Sequence, residues 1–350
     1  MSSILQAQRA ATGPGYTPRG TPVVSVAPMM DYTDRHYRYL MRQISRRVLL
    51  YTEMITSSAI IHGDRDRLLA FDPLERPLSL QIGGDNPDEV ARAVEIAQDY
   101  GYDEFNLNVG CPSDRVQNGH FGACLMARPA QVARIIAAMR SATDRPVTVK
   151  HRIGIDGRES YDEMRDFVDT VADAGVERFT VHARIAVLAG LDPKQNRSIP
   201  PLRYEDVYRL KRERPDLEIE INGHIASYGE IREHLKQVDA VMIGRAAYEQ
   251  IWLFSAMDTT LFGDPPAAIN RESVVRAMYP YLEQLEAAGQ PPRRLINHML
   301  GLFAGRPGAR RWKRSLSGRL PDLRGAELLE RALQQVPPEV RHEGPAEEHI

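Results

Sequence analysis

The chain has 350 residues, 43% of them apolar, which is enough for one large domain with a sizeable core and a smaller second domain. Its formal net charge of −2 gives the whole molecule no electrostatic attraction to a polyanion. No apolar run approaches the roughly 20 residues that cross a bilayer, and the N-terminal stretch lacks the apolar centre of a secretory signal. We therefore expect a cytoplasmic protein with no membrane association.

The two cysteines, Cys111 and Cys124, lack the spacing of a zinc site or of a disulfide framework. We expect reduced thiols and no metal. Cys124 lies among apolar residues and is expected to pack rather than react.

From residue 21 to residue 263, short β-rich runs alternate with longer amphipathic helical patterns. The β-rich runs begin at Pro22, Val48, Leu78, Asp103, Val147, Arg178, Glu218 and Asp239. Helical patterns include those from Pro87 to Tyr100, Ala130 to Arg140, Tyr161 to Ala174, Tyr204 to Arg212 and Tyr228 to Leu235. Eight βα units of this length predict an α/β protein with a (β/α)8 TIM barrel. A doubly wound sheet is the alternative, but the first run is not followed by Gly-x-Gly-x-x-Gly.

After Asp264 the strand signals cease and helical patterns take over, from Arg271 to Ala288 and from Arg293 to Phe303. We predict a catalytic barrel domain at 21–263 and a smaller helical domain at 264–335. Residues 1–20 and 336–350 are polar or rich in Gly and Pro, so we expect a mobile N-terminal segment and a disordered C-terminal tail.

One thiol directly follows a predicted strand. The run over 104–109 is stopped by Gly110 and Pro112, which places Cys111 on the loop after the carboxyl end of that strand. Active sites of parallel α/β proteins lie at this edge. Most free cysteines are small buried hydrophobes, but the neighbouring amide of Asn108 favours a functional thiol facing a cleft.

A barrel brings the carboxyl ends of its strands together around one pocket. Taken singly, each strand end has an ordinary explanation, such as a loop cap for Gln81 or a core position for His182. Together they place amide, ammonium, imidazole and guanidinium groups on one face. The residues are Pro28, Met29, Met30, Gln81, Asn108, Cys111, Lys150, Arg152, His182, Arg184, Asn222, Gly223, Gly244 and Arg245.

This set matches the needs of flavin mononucleotide (FMN). Gln81 offers an amide to the pyrimidine edge of the ring, and Lys150 offers a cation to the negative charge that develops near N1. Pro28, Met29 and Met30 offer an apolar floor. The glycine turns after the seventh and eighth strands are the usual phosphate site of such barrels.

A basic segment lies in the predicted helical domain. Between Arg293 and Leu320 there are seven arginines and one lysine, and no acid. Charge runs are often only solvated surface. Here cations flank Trp312, which we expect to be exposed, and this combination suits a phosphate backbone. These cations are Arg310, Arg311, Lys313 and Arg314.

From about Val24 to Arg314 the chain resembles the tRNA-dihydrouridine synthases, and several segments are similar to the A subfamily. The family motifs are Ala27 to Asp31, Tyr51 to Met54, Leu80 to Gly84, Leu107 to Ser113, Val149 to Arg152, Val181 to Arg184, Ile221 to Gly223 and Ile243 to Arg245. The A-subfamily segments are Asp114 to Gly119, Gly190 to Arg197 and Pro307 to Lys313.

The resemblance implies roles residue by residue. Cys111 becomes the proton donor. His224 stands where relatives commonly carry a second glycine in the phosphate turn, which makes that contact less secure. Cofactor contacts are implied for Pro28, Met29, Met30, Gln81, Lys150, His182, Asn222, Gly223, His224, Gly244 and Arg245, and tRNA contacts for Asn108, Lys194, Arg197, Arg310 and Lys313.

The implied reaction reduces the C5–C6 bond of uridines 20 and 20a in the tRNA D-loop. NADPH reduces FMN, hydride passes to C6, and a positioned acid protonates C5. A free thiol is mostly protonated at neutral pH, so Cys111 can be that acid. The uridine must turn out of its stack to reach a barrel. The implied partners are tRNA and NADPH, with no obligate protein partner.

Three other functions stay open from the residues. A flavin barrel acting on a free pyrimidine, as in dihydroorotate dehydrogenases, shares the cofactor set but does not need the basic segment. A non-catalytic RNA-binding protein needs that segment but not the strand-end set. An aldolase using Lys150 for a Schiff base leaves Gln81 and Cys111 without a role.

Overall fold

The computed structural model describes residues 15–113, 119–317 and 325–345. Its strands follow the predicted β-rich runs closely. They are β1 (Val24–Val26), β2 (Leu50–Tyr51), β3 (Ile55–Thr56), β4 (Leu78–Gly83), β5 (Glu104–Val109), β6 (Val147–Arg152), β7 (Arg178–His182), β8 (Glu218–Asn222) and β9 (Ala240–Ile243).

All ladders between these strands are parallel, in the order β1-β9-β8-β7-β6-β5-β4-β2. A parallel bridge between Ser25 and Leu49 joins the two ends of this order and closes the sheet. Strands β2 and β3 both pair with β4, so they are two pieces of one barrel strand. Nine strands therefore fill eight barrel positions, and the predicted (β/α)8 barrel is confirmed.

Helices follow most strands and cover the outside of the barrel. Those of the barrel are α1 (Arg35–Arg42), α2 (Ser57–His62), α3 (Arg65–Leu69), α4 (Pro87–Ala97), α5 (Pro129–Ser141), α6 (Tyr161–Asp173), α7 (Tyr204–Glu213), α8 (Tyr228–Leu235), α9 (Arg245–Glu249) and α10 (Met257–Thr260). They are followed by α11 (Arg271–Ala277), α12 (Tyr279–Ala287), α13 (Arg293–Met299), α14 (Ala309–Ser317), α15 (Gly325–Leu333) and α16 (Pro338–Arg341).

The helix predicted from Arg271 to Ala288 is two helices. Its first part ends at Ala277, and Pro280 lies in the first turn of α12. Proline has no N–H to donate to the preceding turn, and its ring clashes with the carbonyl four residues earlier. The chain therefore starts a new helix at this point.

Side chains along each strand alternate between the helix-facing side and the barrel interior. In β5, Phe105, Leu107 and Val109 belong to the main core beneath the helices, whereas Glu104 and Asn106 hydrogen-bond to side chains of neighbouring strands. Successive strand residues point to opposite faces. The barrel interior is therefore largely polar, and the apolar core lies between the barrel and its helices.

The carboxyl ends of the strands form the edge that we call the barrel mouth. Helix α13 packs on α1 beside this edge, and its His298 Nε2 lies 3.0 Å from Asp34 Oδ1 at the start of α1. His36 Nδ1 lies 2.9 Å from the hydroxyl of Tyr281 on α12. These contacts fix the C-terminal helices next to the mouth.

The expected disorder of the tail from residue 336 onward is wrong for the part that the structure describes. Val336 and Val340 are buried, and Glu343 forms an ion pair with Arg306. Pro337 lies against Gly308, whose missing side chain leaves room for it. The tail thus packs against the segment that precedes α14, while residues 346–350 lie outside the described part.

Of the first 20 residues, which we expect to be mobile, the structure describes 15–20, and these contact the barrel. Thr17 Oγ1 donates to Glu218 Oε2 at 2.8 Å, and Arg19 Nη1 donates to Glu177 Oε2 at 2.5 Å. Residues 1–14 lie outside the described part. Among the described residues, no helix is both long and apolar enough to cross a bilayer.

Candidate active site

The loop that carries Cys111 is held by hydrogen bonds to its backbone N–H groups and to a backbone carbonyl. Asn108 Oδ1 accepts the N–H groups of Gly110 at 3.1 Å and of Cys111 at 2.9 Å. The carbonyl of Cys111 accepts the N–H of Ala123 at 2.9 Å. The side chain of Cys111 is partly exposed, and its Sγ lies 3.4 Å from Ser113 Oγ. The thiol is therefore fixed in position at the barrel mouth and reachable from it.

Arg152 joins this loop to the loop after β7. Its Nε donates to the carbonyl of Gly110 at 2.9 Å, and its Nη1 donates to the carbonyls of Ile185 at 2.9 Å and Asn196 at 3.0 Å. Asn196 is fully buried and holds the carbonyls and N–H groups of that loop. The loop carries Lys194 and Arg197, both exposed. Sequence analysis placed Arg152 at a strand end but gave it no such role.

Lys150 and His182 carry different charges at neutral pH. Lys150 Nζ donates to Asn222 Oδ1 at 3.3 Å. Burial, together with repulsion from Arg152, lowers the pKa of Lys150 to about 8, so at pH 7 it is still mostly a cation. Burial and the neighbouring Arg152 and Lys150 hold the pKa of His182 well below its usual value. His182 is therefore neutral, so it can offer a hydrogen bond but not a charge.

The turn after β8 adopts a conformation that suits glycine. Gly223 has φ +139°, and a Cβ there would come within 2.9 Å of Leu202 Cδ2. His224 has φ +53°, in the left-handed region. This explains why a second glycine is favoured here, and it leaves His224 exposed, with Nδ1 3.5 Å from Arg245 Nη2. The turn brings His182, Gly223, His224 and Arg245 together.

The apolar residues after β1 lie beside this turn, because β1 pairs with β9 and β9 pairs with β8. Met29 packs on a small interior cluster of Ala27, Leu49, Tyr51 and Met242. Met30 is 52% exposed, so its side chain faces solvent and does not close the pocket. Pro28 is partly buried. Gly244 lies close to these residues and to Asn222, because a Cβ at this position would be 3.9 Å from Ala27 Cβ and 4.0 Å from Asn222 Nδ2.

Gln81 and Asn108 are buried inside the barrel rather than exposed at its surface. Asn108 Nδ2 donates to Gln81 Oε1 at 2.8 Å, and the two side chains are 7% and 1% exposed. Asn108 thus supports the Cys111 loop from inside the barrel. A contact of Asn108 with tRNA stays a prediction.

Four cations of the basic segment lie on one side of α14, away from its packed side. We call Arg310, Arg311, Lys313 and Arg314 the basic face, and all four are exposed. The expected exposure of Trp312 is wrong: its side chain is fully buried, and its Nε1 donates to the carbonyl of Met299 at 3.1 Å. Trp312 and Leu316 lie four residues apart, so they share the inner side of the helix. Charge composition alone did not reveal that periodicity.

The comparisons with known proteins decide the family. The family model described as Dihydrouridine synthase (Dus) matches residues 25–336. The chain belongs to the dihydrouridine synthase family. A tRNA-dihydrouridine(20/20a) synthase of Synechocystis is 56% identical over 312 residues, 89% of this chain and 93% of that protein. Proteins of the same name from Pseudomonas aeruginosa and Vibrio vulnificus are 53% and 51% identical, covering 84% and 91% of this chain and 88% and 98% of theirs.

Membership of the dihydrouridine synthase family confirms the resemblance drawn from the motifs, and it makes the chain an oxidoreductase. Residues 114–118 of the A-subfamily segment lie outside the described residues. A solved 2-naphthoyl-CoA reductase in complex with 2-naphthoyl-CoA matches with a TM-score of 0.51 at 8% identity, over 70% of this chain and 50% of that one. It shares the fold.

Sequence analysis missed the polar interior of this dihydrouridine synthase. Arg178 pairs with Glu104 at 3.0 Å, Glu218 at 3.1 Å and Glu220 at 2.9 Å, and all four side chains are buried. The signal was present in the strands, where polar residues recur at every second position, as in the run from Glu218 to Asn222. It predicts two different faces but does not say which face lies inside.

Proposed function

We propose that this chain uses FMN and NADPH to reduce the C5–C6 bond of uridine in tRNA to 5,6-dihydrouridine, at positions 20 and 20a of the D-loop. Family membership and the names of relatives that match most of the chain support the reaction. Convergence of the Cys111 loop, Lys150 and the Gly223 turn at one barrel edge supports it most directly, because one pocket then holds an acid, a cation and a backbone cradle.

The residues present fit FMN. A cradle that any side chain on Gly223 would fill lies next to Arg245, as a phosphate needs. Lys150 supplies one positive charge inside the pocket, with Asn222 as its partner. Gln81 has an amide hydrogen and a lone pair beyond its two described side-chain bonds. Met29, Asn222 and Gly244 complete the set that would hold the cofactor, with Pro28, Met30, His182 and His224 at its edges.

When bound, reduced FMN supplies the hydride that uracil receives at C6. Cys111 then donates its thiol proton to C5, so that the double bond gains one hydride and one proton and becomes a single bond. The thiolate that remains is reprotonated from water. Backbone bonds to Asn108 and Ala123 hold Cys111 still while the proton moves.

Lys150 and His182 divide the remaining work. Negative charge develops on the C4 carbonyl oxygen of the uracil when C6 receives the hydride, and the Lys150 ammonium would stabilise this charge or that of a reduced, anionic cofactor. Neutral His182 orients the uracil ring or the flavin ring through a hydrogen bond. Arg152 keeps the Cys111 loop attached to the loop that carries Lys194 and Arg197.

The helical region at 264–335 would hold the tRNA. Arg310 and Lys313 lie on its exposed basic face, and Trp312 anchors that face to α13 through Met299. Phosphate contacts of this kind set the orientation of an RNA without reading its sequence. Exposed cations on both sides of the mouth then guide the turned-out uridine inward.

The experiment combines a spectrum with a product map. The purified protein should carry a flavin, identified as FMN by mass, and with NADPH it should place dihydrouridine at positions 20 and 20a of an unmodified tRNA. Free uridine should give no product. A colourless protein contradicts the flavin chemistry, and turnover of a free pyrimidine instead of tRNA favours the dihydroorotate dehydrogenase-like alternative.

A further inference from the structure

A chain of buried hydrogen bonds rises from the barrel interior towards the mouth. Thr148 Oγ1 donates to Glu104 Oε1 at 2.9 Å and accepts from Asn106 Nδ2 at 2.9 Å. Asn106 Oδ1 in turn accepts from Gln81 Nε2 at 2.8 Å. Three strands contribute these four residues, and each residue is at most 6% exposed.

The same chain continues into the Cys111 loop. Gln81 Oε1 accepts from Asn108 Nδ2 at 2.8 Å, and Asn108 Oδ1 accepts the N–H groups of Gly110 and Cys111. The Glu104 carboxylate inside the barrel is therefore linked, through successive hydrogen bonds, to the backbone N–H of Cys111.

Both ends of the chain impose the same direction. At the lower end, Glu104 Oε1 accepts from Thr148 Oγ1, and its other carboxylate oxygen accepts from Arg178 Nη1 at 3.0 Å. At the upper end, backbone N–H groups only donate. If the side-chain amide of Gln81 or of Asn108 rotated by 180°, its nitrogen would face another N–H group and its oxygen would face another oxygen. Buried polar groups would then lose their hydrogen-bond partners.

We propose that Glu104, Thr148 and Asn106 are positioning residues that fix the orientation of the Gln81 and Asn108 amides and, through Asn108, the position of Cys111. None of the three touches the substrate in this scheme. They act through the direction of the chain, which a barrel built only for stability would not require.

The fixed direction also decides what Asn108 offers to a ligand. Both lone pairs of its Oδ1 are occupied by backbone N–H groups, and one of its two Nδ2 hydrogens is bound to Gln81. One hydrogen remains, so Asn108 can donate to a carbonyl oxygen but cannot accept from an amino group. Resting on the proposed function, this makes Asn108 a hydrogen-bond donor to any carbonyl group that a bound ring places beside it.

Thr148→Val tests the chain with little change of shape. It removes the hydroxyl that joins Asn106 to Glu104, while Glu104 keeps hydrogen bonds from Tyr51 at 3.0 Å and Ser79 at 2.8 Å. Thr148→Ser is the matched control because it keeps the hydroxyl. Both variants are studied as holoproteins beside the wild type, by thermal melting, by hydrogen exchange of the 107–113 segment and by steady-state kinetics on unmodified tRNA.

In Thr148→Val we expect amide exchange in the 107–113 segment to accelerate about tenfold, because the chain that holds the Asn108 amide from inside the barrel is then broken and only the loop itself orients it. We expect kcat to fall about tenfold with the KM for tRNA unchanged, since a slightly displaced acid weakens proton transfer and not binding. Thr148→Ser should restore both values.

Unchanged exchange and kcat in Thr148→Val would overturn the proposal. So would equal losses in the Val and Ser variants that follow the melting temperature, because that pattern marks a merely structural role. Failure of the proposed function is distinguished by the wild type itself, which would then bind no flavin or leave tRNA unmodified, whereas the exchange comparison is made whatever the wild type catalyses.

Discussion

The cations at the barrel mouth and those of the basic face differ in how they are held. Arg152 and Arg184 are buried at the mouth, and their guanidinium groups bind backbone carbonyls. Lys150 has a single amide partner and a lowered pKa. On α14, Arg310 and Lys313 extend into solvent.

The difference separates two uses of positive charge. A buried cation acts at one place, on one group, with little screening, so that replacing it changes a specific step. Exposed cations act together on a distant polyanion, and salt weakens them as a group. We therefore expect substitutions at the mouth to change chemistry and substitutions on the basic face to change only affinity.

The largest effect should come from Cys111→Ala. Without the thiol proton, dihydrouridine formation on unmodified tRNA should fall at least about a hundredfold, the usual contribution of a positioned acid. Flavin content and its reduction by NADPH should stay near wild type. Cys124→Ala is the matched control, since the Cys124 thiol is bound to the carbonyl of Phe121 at 3.0 Å. A normal product yield in Cys111→Ala would remove this residue from the mechanism.

Next in size is the double variant Arg310→Gln with Lys313→Gln. Removing two phosphate contacts should reduce the slope of log affinity against log salt by about two, with kcat on saturating tRNA unchanged. The readout is tRNA binding at a series of salt concentrations. Arg212→Gln on the outer helix α7, combined with Lys236→Gln at the C-terminal cap of α8, controls for net charge. An equal slope in the double variant and the wild type would leave the basic face without this role.

The fold was predictable because alternation is local. Each parallel strand and the helix after it repeat a pattern readable from about 30 residues, and the strand starts at Leu78, Val147 and Arg178 agree with the prediction to the residue. The meeting of Lys150, His182 and Asn222 at the mouth was predictable for the same reason, since strand ends meet at one edge whatever the packing.

What sequence reasoning missed depends on contacts between distant residues. Trp312 is flanked by cations yet buried, because its own helix turns it inward against Met299. The tail near Val340 is polar in composition but packs through a few apolar side chains. The chain from Glu104 to Asn108 joins three strands, and no single segment contains its pattern.

A smaller effect concerns the buried charge of Lys150 at the mouth, which should make the affinity for FMN depend on pH. The pKa of Lys150 is lowered from its ordinary value to about 8, so its charge is present at pH 7 and largely lost at pH 9. If an anionic cofactor favours the charged form, FMN affinity should fall up to about tenfold over that range. Dilution of the holoprotein with flavin fluorescence as the readout measures the dissociation constant. Lys150→Arg stays charged at both pH values and should show no such fall; a parallel fall in that variant would point to another titrating group.

The smallest effect should come from His224→Gly, which tests the backbone of the phosphate turn rather than any charge. His224 holds φ at +53°, a conformation that costs a side-chain-bearing residue about 1–2 kcal/mol, whereas glycine adopts it freely but loses more entropy on folding. The two effects leave a gain in unfolding free energy of less than about 1 kcal/mol, seen as a small rise in melting temperature. FMN affinity should be kept, because backbone N–H groups and not the exposed imidazole face the phosphate in this scheme. Gly223→Ala is the opposite control, since its Cβ would come within 2.9 Å of Leu202 and should lower both stability and FMN affinity. A loss of FMN in His224→Gly would instead show that the imidazole, through Arg245, takes part in binding the phosphate.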